Sequence, residues 1–186
     1  LLKKNIVKVF LFILLLLVLN IFWLEKELKF LAERGTERKN ILYQIKKTYP
    51  DLPPKVVFYM VSDSPFYGLP ESERIFPFET NLGNIIMVLY QKTEDYPTEL
   101  VDLPDYLFGM TKEGYKEIDG RGFGYFRNWD LFIQAIEDNN LSGYSVIAFS
   151  YHFSNKSVED ITSQTRKEIG IEVIKKFMSE AKSPNS

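Results

Sequence analysis

Cysteine is missing from this 186-residue chain, and histidine occurs once, at His152. Without cysteine there is neither a disulfide framework nor a thiolate zinc site, and the absence fits any compartment. With one histidine, a zinc centre or a Ser-His-Asp triad would rest on His152 alone, at the exit of a predicted strand. An ordinary solvated or hydrogen-bonded histidine is the simpler reading. Basic residues are scarce in the middle of the chain, where 51–160 holds eight against eighteen acids. Nucleic acid is therefore not an expected partner, because its phosphates would meet no basic stripe. A phosphate loop is also lacking. In DGRGFG, 119–124, the third glycine comes one position early for a dinucleotide fingerprint, and no GK[ST] follows to make a P-loop. No metal site, cofactor or internal repeat is implied.

What the chain has in quantity is apolar sequence at its amino end. Residues 9–24 carry no charge and are broken only by Asn20. Counted from Asn5, the run is twenty residues with Lys8 near one end, about 30 Å as a helix, the thickness of the hydrocarbon core. Phe22 and Trp23 sit at the far end, where an aromatic belt belongs. A cleaved signal would need small residues where this run has Phe22, Trp23 and Leu24. All-round leucine without a polar face argues against a core helix of a soluble domain this small. The reading is a transmembrane helix over 1–24, a basic juxtamembrane helix and linker over 25–54, and a soluble domain over 55–180. The lipid bilayer is the expected partner and the cell membrane the expected location, with 25–186 outside the cytoplasm. Seven bases against four acids in 25–50 do not favour that orientation under the positive-inside rule. The chain begins with Leu1, so upstream charges and spans are expected to be missing from the count.

Beyond the span, apolar spacing predicts a helix interrupted at Gly35-Thr36, with Thr36 capping a second stretch that stops before Tyr49-Pro50. VVFYMVS, 56–62, reads as a buried strand, and 81–92 as a helix capped by Asn81. A strand is expected at 106–110, a turn at Asp119-Gly120 between two extended arms, and a helix after the cap Asn128. A strand over 144–153 precedes a helix whose capping box would be Ser157 and Asp160, with a break at Gly170. The order predicts an α/β or α+β fold, a small sheet covered by helices behind an N-terminal transmembrane helix. Fifteen phenylalanines and eleven tyrosines are mostly core material on this reading.

No catalytic motif is present, so candidates are limited to polar contacts. Asp63 follows a predicted strand, where α/β proteins place ligand-contacting residues. Glu117 and Asp119 alternate along one arm. Arg121, Arg127 and the loop residue Tyr67 complete the set. Tyrosines among acids suit a sugar or a lipid headgroup, and serve equally well as scaffold.

The run of a last hydrophobic span, a basic helix ending in YPDLP, VVFYMVSD, PFETNLGNIIMVLY and GYKEIDGRGFGYFR resembles the carboxyl-terminal extracytoplasmic tail of bacterial polytopic membrane proteins of the GT-C glycosyltransferase kind, over 25–160. The resemblance implies an accessory domain of an enzyme using a lipid-phosphate-linked sugar donor, joined to an upstream polytopic membrane domain of the same protein. It also implies a catalytic acid in an early loop of that membrane domain; no residue here matches its acidic motif. The rival expectations are a membrane-anchored binding or assembly module without chemistry and, with only scattered acids behind it, a self-contained hydrolase.

Overall fold

The computed structural model describes residues 2–65, 69–70, 73–79, 82–103 and 105–170. The chain divides into two compact units, residues 1–40 and 41–186. Helix α1, Leu2–Thr48, supplies all of the first unit and opens the second. It is not interrupted at Gly35-Thr36. Thr36 turns its hydroxyl back onto the Ala32 carbonyl at 2.9 Å instead of capping a new helix. One helical glycine costs about 1 kcal/mol relative to alanine, too little to break a helix of this length. In the first unit, Val9–Leu24 is exposed throughout, and the helix is long and apolar enough to cross a membrane.

The second unit is built on a five-stranded sheet of order β2-β3-β1-β4-β5. Strand β1, Lys55–Ser62, lies at its centre with β3, Arg121–Phe126, and β4, Val146–His152, parallel on either side. The edges are antiparallel: β2, Gly114–Ile118, on β3, and β5, Ser157–Asp160, on β4. Alternation along β1 sends Phe58 and Met60 to one face, against Ile86 and Tyr90 of α2, Leu82–Glu94, and against Ile41 and Ile45 of α1. Val57 goes to the other face, with Phe132 and Ile136 of α4, Trp129–Asp138. Helices thus cover both faces of a small sheet, the expected α+β architecture.

Several local expectations change. Residues 106–110 form turns rather than a strand, with positive φ at Leu107 (51°) and Gly109 (98°). Tyr106 explains this locally: its hydroxyl donates to the Phe123 carbonyl and Leu107 enters the core, so side chains hold a segment that no strand pairs. The acidic stretch before it contains a short helix, α3, Thr98–Val101. Ser157 does not cap a helix but pairs with His152 in β5, its hydroxyl donating to Asn155 at 2.7 Å. A helix, α5, runs over 162–170 among the described residues, and the Asp160 carboxylate accepts from the Thr162 amide at its start at 2.9 Å. The cap Asn128 is as expected, its side chain accepting from the Leu131 amide. Asn81 and everything after 170 lie outside the described residues.

Candidate functional site

The hairpin β2–β3 determines which charged residues meet. Its turn is two residues, Asp119 (φ 52°) and Gly120 (φ 79°), the left-handed pair that matches strand twist. Counting back from it pairs Gly114 with Tyr125, so Glu113 falls opposite Phe126, one residue short of Arg127, and its side chain spans the step. Glu113 Oε2 accepts from the Arg127 and Asn128 amides at 2.9 and 3.0 Å, and its Oε1 lies 3.2 Å from Arg127 Nε. Both side chains are nearly enclosed, 10% and 12% exposed. Glu73 closes the other side, accepting from Arg127 Nη1 at 3.0 Å. Glu73 holds the guanidinium by a charge-assisted hydrogen bond and Glu113 by an ion-pair contact, while Arg127 Nε itself has no hydrogen-bond acceptor among the described residues.

This triad borders a cavity of about 300 Å3 over the carboxyl ends of β1 and β3. Its lining adds Met60, Val61, Ser62, Arg74 and Asn128. Ser62 is already committed, donating to the Ile75 carbonyl and accepting from the Ser64 amide, both at 3.0 Å. The position is at the carboxyl ends of parallel strands, the edge where α/β sheets hold ligands, although the point where the chain order reverses lies next door, between β1 and β4.

The five sequence candidates among the described residues do not converge. Arg127 stands in the cavity wall. Asp63 lies further along the same edge, where its Oδ1 accepts from the Phe153 amide at 2.6 Å and its Oδ2 is 3.9 Å from His152 Nδ1. His152 Nε2 in turn lies 3.1 Å from Glu159 Oε2, so Asp63 helps tie β1 to the β4–β5 hairpin. Glu117, Asp119 and Arg121 are at the opposite end of β3. Lys55 approaches Glu117 at 2.6 Å and, with the Tyr115 hydroxyl, holds its carboxyl below the ordinary 4.5. Asp119 forms the turn. Arg121 reaches the Glu94 carbonyl and carboxylate and lies 5.0 Å over the Tyr96 ring, joining the hairpin to the end of α2. Tyr67 lies outside the described residues.

Of the cavity lining only Arg127 was read from sequence as a contact; Glu73, Arg74, Glu113 and Asn128 are among the polar residues that were not. Only Glu113 had a usable signal, the two-residue turn and its register. Among the described residues no group of three or more histidine and acidic side chains is arranged to hold a metal ion. The chemistry the cavity offers is recognition by oriented hydrogen-bond donors. No known protein family, curated protein or solved structure matches the chain.

Proposed function

We propose that this chain is a membrane-anchored accessory domain that holds a polar ligand in the Arg127 cavity, outside the cytoplasm, in the service of a lipid-linked sugar transferase. The observation that carries the anchor is the uncovered apolar surface of α1, where every described large apolar side chain from Val9 to Leu24 is at least 43% exposed. Water does not tolerate so long an apolar cylinder; a bilayer covers it at no polar cost, since the helix satisfies its own backbone. The ligand-holding role is supported by the cavity's place at the carboxyl ends of the parallel strands. The transferase rests on the sequence resemblance alone.

The full chain, expressed in cells, should stay in the membrane pellet through alkaline carbonate, and a reporter fused after Ser186 should be active only outside the cytoplasm. Release by carbonate removes the anchor; cytoplasmic activity reverses the topology. For the transferase, deleting 41–186 from the protein in its host should reduce sugar transfer from a polyprenyl-phosphate donor. Unchanged transfer leaves a binding or assembly module.

A further inference from the structure

We infer that the cavity between the ends of β1 and β3 takes a singly charged oxyanion, a carboxylate or phosphodiester group on its ligand, and that Arg74 is the residue that recognises it. This rests on the reading of the cavity as the ligand site and is independent of membrane attachment.

The inference comes from accounting for donors and acceptors in the lining. The acceptors are largely spent. Glu113 Oε2 takes two backbone amides and its Oε1 faces Arg127. Glu73 Oε2 is on Arg127 Nη1, Asn128 Oδ1 is on the Leu131 amide, and the Ser62 hydroxyl has both a donor and an acceptor. The donors are not spent. Arg74 is exposed at the cavity wall, and among the described residues its guanidinium meets no partner. The same holds for the Asn128 side-chain amide and for Arg127 Nη2. A ligand that satisfies this lining must bring acceptor oxygens, and a planar guanidinium favours groups presenting two of them side by side.

Charge then limits the ligand. Arg74 and Arg127 balance Glu73 and Glu113, so the four charged lining residues sum to zero. A monoanion gains Arg74 while Arg127 screens the two carboxylates. A dianion would place a second negative charge near Glu73 and Glu113 with no further cation to meet it. The volume, about 300 Å3, exceeds one such group and leaves room for the body of a small ligand.

The test uses the full chain in detergent micelles carrying Trp23→Phe, so that Trp129, next to the cavity residue Asn128, is the only tryptophan. Its fluorescence is titrated with dimethyl phosphate, with acetate and, at mildly alkaline pH, with inorganic phosphate. The expected result is a saturable response to at least one of the two monoanions. It should weaken about tenfold or more in Arg74→Gln, the loss of one charge-assisted contact, and recover in part in Arg74→Lys. The stronger monoanion identifies the group. Inorganic phosphate should bind more weakly and gain on the monoanions in Glu73→Gln. No saturable response to either monoanion, or an equal response in Arg74→Gln with an unchanged circular dichroism spectrum, overturns the inference. Carbonate release of a chain that still binds a monoanion would strike the anchor and leave this site standing.

Discussion

Gly122 and Gly124 lie on one face of β3, and the ring of Tyr115 on the neighbouring strand lies across them. A Cβ on Gly122 would overlap the Tyr115 hydroxyl, and one on Gly124 would come within 2.9 Å of the ring and 3.2 Å of the Gly114 carbonyl. The glycines of DGRGFG therefore make a flat path for an aromatic ring, a use of strand glycine in which a cross-strand ring replaces the missing side chains. Gly122→Val should destabilise the domain by about 1–3 kcal/mol through overpacking, read as a lower midpoint in chemical denaturation; an unchanged midpoint would mean that the ring is not held there. Glu117 makes a pH prediction. Lys55 holds its folded pKa below 4.5, so its contribution is complete above 4.5 and disappears as pH falls through the folded value. The pair is exposed, and such pairs are worth about 0.2–1 kcal/mol. Glu117→Gln should therefore lower the thermal midpoint slightly at neutral pH and converge with the parent in acid. A constant difference across that range would refute the pairing.

At the scale of elements, the cap at Asn128 serves both stability and the cavity. It accepts from the Leu131 amide, starts α4, and places its own side-chain amide in the cavity wall. Asn128→Ala should cost about 1 kcal/mol of stability, measured by denaturant midpoint, and a cost near zero would show the cap to be idle. Helix α4 was legible because its caps and stripe are local: Asn128 is followed by Leu131, Phe132, Ala135 and Ile136 at helical spacing, and Phe132 and Ile136 are the buried pair. The strand at β1 and the helix at α2 were legible for the same reason. The break expected at Gly35 was not real, because a single weak residue is outvoted by the turns on both sides of it. The segment 106–110 misled because YLFGM has strand composition, whereas its conformation depends on Tyr106 reaching Phe123. The Ser157-Asp160 spacing matched a capping box by chance, and pairing with β4 used those residues instead.

For the whole molecule, the apolar run at the amino end and the acidic balance of 51–160 were both readable without coordinates, because each is composition summed over a segment. Retention of the full chain in carbonate-washed membranes is the prediction that belongs at this scale. The class of fold also followed from the order of periodic segments. The strand order did not. That β1 is central, with β3 and β4 on opposite sides, is a matter of long-range pairing, and no local pattern encodes it. The candidate site divides along the same line. Asp63 was read from its place after a strand, Glu117 and Asp119 from their alternation along one arm, and Arg127, which stands in the cavity wall, carried no such local signal. The fold put Glu117 on Lys55 and Arg121 on Glu94. It assembled Glu73 and Glu113, 54 and 14 residues away in sequence, on their common arginine Arg127. By itself, then, the sequence determined the apolar run, the helix and strand periods, the cap at Asn128 and the hairpin turn, all of which are local free energies. The tertiary structure decided which charges neutralise one another and which guanidinium, that of Arg74, meets no partner among the described residues, because ion pairing depends on distances that only the packed sheet creates.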